Sequence, residues 1–279
     1  MFSTIFTDSK LVKTSEVKVG SHFKELEQVL FLNDYYILKG EIRYKVFTAK
    51  DNTMIYKSPY YFGSFFTDND NTFYRYRFDG ITSNQIIDNK IHVKPIPFCP
   101  MWSNHDIFLC MNRDIDLRSK QDNRCLQYIS GVGSWNCEGE TPGLNVIYDG
   151  NLIEILWYQE NSQRMETIAQ LDTPYRSPDM KFDYDSTRYC LICGDAVYDT
   201  RFMKTPLKTF PDCIMKKLYK GHVLFEHEDK LCNVTYVNLE SPYNCMGLSN
   251  TCMTTYNDHL EVFSIHDRVT TRSIYVCSC

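Results

Sequence analysis

Apolar residues along this chain fall in short runs broken by Asp, Asn and Gly, and most runs are too short for helices. The clearest unit is Gly143-Leu-Asn-Val-Ile-Tyr-Asp-Gly-Asn-Leu-Ile-Glu-Ile-Leu-Trp-Tyr-Gln159. Residues 144–148 form one mostly apolar run, and 152–158 form a second, rich in β-branched and aromatic side chains. Between them Asp149-Gly150 tolerates the positive φ of a type I′ turn, so the stretch is expected to be a β-hairpin.

The same layout recurs along the chain. The turn acids Asp34, Asp70, Asp106, Asp149, Asp185, Asp229 and Asp258 are separated by steps of 36, 36, 43, 36, 44 and 29 residues. A period of about 40 residues is the length of one four-stranded propeller blade. Arg43-Tyr-Lys-Val-Phe47, Ile153-Glu-Ile-Leu-Trp157 and Arg272-Ser-Ile-Tyr-Val-Cys277 fit as further strands of such units. Any all-β chain carries a turn signal every ~8–12 residues, and no WD, Kelch or Asp-box signature is present. The expected class is therefore all-β and mainly antiparallel: a β-propeller-like repeat of about seven units or, alternatively, an irregular β-sandwich. One segment reads differently. Residues 15–30 place Phe23, Leu26, Val29 and Leu30 on one helical face with Ser21 as a cap, which predicts a short N-terminal helix.

The 279 residues suffice for one large β-rich domain. The Pro-rich Lys94-Pro-Ile-Pro-Phe-Cys-Pro100 either ends an N-terminal subdomain or is a loop. Cysteine changes the picture there. All 12 lie in 99–279 and none in 1–98: Cys99, Cys110, Cys125, Cys137, Cys190, Cys193, Cys213, Cys232, Cys245, Cys252, Cys277 and Cys279. An even, dense set suggests disulfides and an oxidising compartment, against the alternative of reduced or zinc-bound thiols inside a cell. The N-terminus lacks the basic and apolar regions of a signal peptide. The expected location is extracellular or surface-exposed if a signal has been removed, and cytoplasmic otherwise. No apolar run approaches a membrane span. The net charge of −5 gives no general attraction to nucleic acid.

Candidate chemistry is sparse. Cys190-Leu-Ile-Cys193 has the spacing of a zinc knuckle, but it sits in an expected strand. Residues three apart then point to opposite faces, which predicts two different disulfide partners and no metal. His227-Glu228 lacks the second His of the H-E-x-x-H motif. No nucleophile elbow, phosphate loop or dinucleotide fingerprint occurs, and no cofactor is expected. Asp185, Glu226 and Asp267 are the carboxylates from which a glycosidase-like pair would have to come. Asn233-Val-Thr235 is the one glycosylation sequon, and if the protein is secreted its strand edge should face solvent.

Aromatics are abundant, with 20 Tyr and 17 Phe. Tyr60, Tyr61, Phe62, Tyr74 and Tyr76 are the candidate contact residues. The reading that follows is a non-enzymatic recognition or assembly protein, a Cys-rich β scaffold that contacts a protein or glycan partner. A glycosidase-like hydrolase, or an intracellular structural protein with reduced or zinc-bound cysteines, is the alternative. The sequence leaves the oligomeric state open.

Overall fold

The structure, a computed structural model, describes residues 9–20, 23–59, 65–67, 71–77, 80–96, 100–103, 107–111, 115–129, 134–135, 143–149, 152–172 and 180–278. Their regular structure is strand throughout, in seven four-stranded sheets. Strand β1 (Lys10–Val19) waits for the last sheet. The first sheet is β2 (Gln28–Phe31), β3 (Tyr35–Lys39), β4 (Tyr44–Thr48) and β5 (Met54–Lys57). The second is β6 (Phe65–Thr67), β7 (Thr72–Arg77), β8 (Gly80–Ile87) and β9 (Lys90–Ile96). The third is β10 (Pro100–Ser103), β11 (Ile107–Met111), β12 (Ile115–Ser119) and β13 (Cys125–Ile129). The fourth is β14 (Ser134–Trp135), β15 (Leu144–Asp149), β16 (Leu152–Gln159) and β17 (Arg164–Asp172).

The fifth sheet is β18 (Phe182–Asp185), β19 (Cys190–Cys193), β20 (Ala196–Asp199) and β21 (Lys208–Thr209). The sixth is β22 (Ile214–Tyr219), β23 (His222–His227), β24 (Lys230–Thr235) and β25 (Asn244–Cys245). The seventh is β26 (Thr251–Tyr256), β27 (His259–His266) and β28 (Val269–Ser278), completed by β1. Consecutive strands are neighbours in every sheet, and the last sheet borrows its outer strand from the start of the chain. This is a seven-bladed β-propeller, the first of the two expected architectures.

Asp34, Asp149, Asp185, Asp229 and Asp258 belong to five different sheets. Asp34, Asp185 and Asp258 fall between first and second strands, whereas Asp149 and Asp229 fall at the second-to-third connection. Asp70 and Asp106 lie outside the described residues. The displacement of Asp229 by one strand relative to Asp185 explains the long step of 44 between them. The hairpin is also corrected by one residue. Asp149 is the last ladder residue, paired with Leu152, so the turn itself falls on residues outside the description.

Other two-residue turns are described. Glu228-Asp229 (φ 50° and 58°), Asn257-Asp258 (46° and 65°) and Asp267-Arg268 (49° and 65°) hold both central residues at positive φ. That twist matches the flanking strands, which is why Asp and Asn mark these corners.

The N-terminal helix is not formed. Lys10–Val19 is a strand, residues 23–27 are irregular, and Gln28–Phe31 is a strand. Phe23, Leu26, Val29 and Leu30 are buried as expected, but by an extended chain. A Cβ on Gly40 would meet Phe23 Cδ1 at 2.7 Å and the Glu25 carbonyl at 2.8 Å. The glycine lets this stretch lie flat against the turn after β3. The β-branched Val12, Thr14, Val17 and Val19 favour the strand, and pairing to β28 decides it.

The chain divides into two compact units: residues 1–29, 39–41 and 179–279, and residues 30–38 and 42–178. In the second, one core joins Leu30, Ile37, Tyr44 and Val46 to Phe73 and Ile86. Another joins Ile107, Leu109 and Leu117 to Ile147, Leu156 and Met165. The Pro-rich segment lies inside this unit, where it links β9 to β10.

In the first unit, one core joins Cys190, Ile192 and Val197 to Met215, Val223, Phe225 and Cys232. A second joins Leu224 and Leu231 to Met253, Leu260, Val262 and Tyr275. These strands bury both faces, as in Leu260–Ile265 of β27, so they read as continuous apolar runs instead of an alternation.

Carboxylates tie one sheet of this unit to the next. Asp183 Oδ2 on β18 accepts the Leu218 N–H of β22 at 2.5 Å. Glu226 Oε1 on β23 accepts the Thr251 N–H and Oγ1 of β26 at 3.3 and 3.0 Å. In the seventh sheet, Glu261 and Arg272 form a two-pronged pair at 2.9 and 3.0 Å, with 1% and 6% of each residue exposed.

Arg272→Met leaves the Glu261 charge buried and alone, and is expected to cost about 3–5 kcal/mol in denaturant unfolding. The double variant Glu261→Leu/Arg272→Met should recover most of that loss. A double variant no more stable than the single one would show that the site depends on the ion pair for more than charge compensation.

Candidate functional site

Asp199 ends β20 in the fifth sheet, and Thr200-Arg-Phe202 follows it. The Asp199 carbonyl accepts the Phe202 N–H at 2.8 Å, and its Oδ1 accepts the Arg201 N–H at 2.9 Å. Aspartate favours such turns because its side chain stands in for a backbone acceptor. The Arg201 guanidinium folds back on the same carboxylate, Nε to Oδ1 at 2.8 Å and Nη2 to Oδ2 at 2.6 Å. This fork-on-fork contact fixes the guanidinium plane. The plane lies over two rings, 4.9 Å from the Tyr189 centroid and 6.0 Å from that of Phe202.

Tyr189 comes from the connection between β18 and β19 and holds φ at +57°. A bulky residue pays about 1–2 kcal/mol there, and local contacts hold it in place. Its carbonyl accepts the Thr200 N–H at 2.8 Å, which joins the two connections. Just upstream, Asp185 Oδ1 accepts the Thr187 N–H at 3.0 Å and Oδ2 meets Arg188 Nη1 at 3.0 Å. Both connections follow strands running in the same direction, so both emerge at one edge of the sheet. Tyr189 is 46% exposed and Phe202 72%, the most exposed large apolar side chain among the described residues.

The electrostatics are settled locally. The Arg201 hydrogen bond holds the Asp199 carboxyl below its ordinary value, outweighing burial, and Asp199 in turn raises Arg201. Burial pushes the nearby Tyr236 hydroxyl up to about 12, so it stays neutral. The result is two aromatic surfaces around a cation whose charge is already answered. It offers contact area with few rotamers left to freeze.

The residues named from sequence are dispersed. Tyr74 is buried and packs edge-on against Phe108 at 5.9 Å, so it belongs to the core and is no contact residue. Tyr60, Tyr61 and Phe62, and the side chain of Tyr76, lie outside the described residues. The three carboxylates each have their own partner: Asp185 has Arg188, Glu226 has Lys216 at 3.1 Å, and Asp267 has His266 at 3.1 Å on the surface. Asp185 lies at the first-turn edge of its sheet. Glu226 and Asp267 lie by the second-to-third connections, at the other edge. A strand of six residues sets Asp185 about 20 Å from that edge, too far to pair with either of the others at the ~5–10 Å of a glycosidase.

Asn233 is buried. Its Nδ2 donates to the Asn244 carbonyl at 3.2 Å, a bond that a glycan on that nitrogen would displace. The expectation that this edge faces solvent therefore fails at Asn233, because β25 covers it.

The cysteine expectation also needs correction. Cys232 and Cys245, directly opposite on β24 and β25, form a disulfide. Cys125, Cys190, Cys193, Cys213 and Cys277 are free thiols. Cys110 and Cys252 are buried; Cys99, Cys137 and Cys279 lie outside the described residues. Cys190 and Cys193 do occupy a strand, but with no disulfide partners. Both are buried on all sides, and burial raises both thiols, Cys193 to about 12. Core packing explains them without a bridge. Among the described residues no three His, Cys, Asp or Glu side chains stand together as a metal site would require. No helix there is long and apolar enough to cross a membrane.

Comparison with known proteins agrees with the fold. No family model matches the chain, and no curated protein does. Among solved structures the chain is similar to BamB from Moraxella catarrhalis. The identity is 8% and the TM-score 0.51, over 96% of this chain and 98% of the other. In all, 533 solved chains match, so the likeness speaks to a widely used fold and not to one activity.

Sequence reasoning missed the Tyr189–Arg201–Phe202 cluster. The available signal was Asp-x-Arg directly after a strand, followed by Phe in an otherwise polar loop.

Arg201→Ala removes the main support of the charged Asp199 carboxylate. Its pKa should move up toward the ordinary 3.8, measured by carbon-detected NMR titration. In the parent protein the Asp199 value is depressed, so the contribution of the pair is present above pH 3.8 and lost as pH falls through the folded value. An unchanged Asp199 titration in the variant would mean that backbone donors alone hold the carboxylate.

Proposed function

We propose that this protein is a non-enzymatic interaction scaffold, a β-propeller that docks a protein partner on the Tyr189–Arg201–Phe202 edge of its fifth sheet. The observation that carries the reading is the exposed Phe202 ring, held beside an arginine already locked by Asp199. Tyrosine and arginine, the residue types that dominate binding hot spots, stand together here. The apolar rings call for an apolar side chain from the partner. Because Arg201 is paired, the site does not demand a carboxylate in return.

The test is site-specific photocrosslinking in extract of the native host, with benzoylphenylalanine placed at position 202 or, as a control, at position 93. Val93 is also exposed, at 52%, but it lies in the other unit. A discrete adduct at position 202 and none at 93 is expected. With that partner purified, Tyr189→Ala should weaken binding by ~10-fold or more. Equal labelling at both positions, or full affinity in the Tyr189 variant, would overturn the reading.

A further inference from the structure

A second cluster lies next to the Arg188–Tyr189 connection, where β1 and β28 meet the start of β23 in the sixth sheet. His222 opens β23 just after the turn Lys220-Gly221, whose φ values are 45° and 87°, and its residue is 1% exposed. Asn233, on the adjacent β24, faces it. The Asn233 side chain can be oriented from its bonds. The Asn244 carbonyl needs a donor, so the atom 3.2 Å from it is Nδ2. That leaves Oδ1 toward His222 Nδ1 at 3.3 Å. A carbonyl oxygen only accepts, so Nδ1 carries the ring proton and Nε2 bears the free lone pair.

Two donors face that lone pair. Ser9 Oγ, one residue before β1, lies at 3.2 Å. Cys277 Sγ, near the end of β28, lies at 3.8 Å, and its S–H also reaches the Lys220 carbonyl at 4.0 Å. The β1–β28 register pairs Leu11 with Cys277, which brings both to the same place. Burial lowers the His222 pKa, and Arg188 adds to this. Its Nε would lie 3.1 Å from a Cβ on Gly221. The ring is therefore a neutral base at ordinary pH. Nucleophile, base and orienting amide stand in sequence, the arrangement by which a thiol is activated.

We propose that Cys277 is a reactive thiol that exchanges with small disulfides, with His222 as its general base. The Cys277 S–H proton passes to His222 Nε2, and the sulfur attacks one sulfur of an external disulfide RSSR. The RS–SR bond breaks as the Cys277–SR bond forms. The departing RS⁻ takes the proton back from His222 and leaves as RSH. Cys277 is oxidised to the mixed disulfide, and one half of the external disulfide is reduced.

The other free thiols have no such partner. Cys190, Cys193 and Cys213 are raised by burial. Cys125 is exposed and donates to the Gln127 carbonyl at 3.4 Å; Cys277 also reaches a carbonyl, that of Lys220, but has the His222 ring nitrogen beside it as well.

Cys125 is the internal control. Full-length protein is treated with limiting oxidised glutathione, and each mixed disulfide is located by tandem mass spectrometry, which separates Cys277 from Cys279. Exposure alone would favour Cys125. The proposal requires Cys277 to react faster, by ~10-fold or more, and His222→Gln to abolish that advantage while the Cys125 rate stays the same. Where His222→Gln fails to fold, Ser9→Ala decides: removing the competing hydroxyl should raise the Cys277 rate. Faster reaction at Cys125, a Cys277 rate indifferent to His222, or no gain in Ser9→Ala would overturn the proposal.

Discussion

The pairing of the first strand with the last is the constraint on which the rest depends. β1 runs antiparallel to β28 from Lys10↔Ser278 to Val19↔Thr270, with one irregularity near Thr14. Most β1 side chains are exposed, so the strand is held by its backbone ladder more than by its own burial. Without it, β28 would present an open edge of unpaired donors and acceptors. The same ladder places Ser9 and Cys277 beside His222, and β28 carries Arg272 to Glu261 in the core of the seventh sheet. Chain closure and the thiol site thus have one cause.

Within the first unit, strands buried on both faces commit most of their side chains to packing, and the exposed aromatic surface lies on the connections. Core groups there are inert: Cys190 and Cys193 are buried thiols, and Asp183 is committed to the next sheet. The connections can differ from sheet to sheet because the strands carry the stability. In the fifth sheet the difference is a turn in which Asp199 satisfies two backbone donors and one guanidinium at once. That arrangement turns a short polar loop into a fixed surface for Tyr189 and Phe202.

The propeller was legible because Asp and Asn recur at the strand connections, in some of them, such as Asp229 and Asp258, to hold positive φ. Their spacing of about 40 residues was enough to count seven units, even though Asp149 and Asp229 mark a later turn than Asp34, Asp185 and Asp258. The outer strand was not legible. Exposed on most of its length, Lys10–Val19 lacks a period of two, and its partner lies at the far end of the chain. Phe23, Leu26, Val29 and Leu30 then imitated a helical face that an extended segment buries equally well. Exposure was equally hidden: Tyr74 in mid-strand and Phe202 in a connection are both aromatics beside turn signals, and only the fold puts one in the core and the other in solvent. Cysteine density misled for a related reason, since a buried thiol and a bridged one look alike in composition.

Segment-resolved hydrogen exchange on the intact chain tests the closing ladder most directly. If β1 completes the seventh sheet, the amides of residues 10–19 that face β28 exchange only in the same opening that releases β26 to β28, with matching free energies. Exchange of those amides at the rate of an unstructured chain, while β27 and β28 stay protected, would contradict the account. Both the closure of the fold and the setting of Cys277 beside Ser9 and His222 would then be lost.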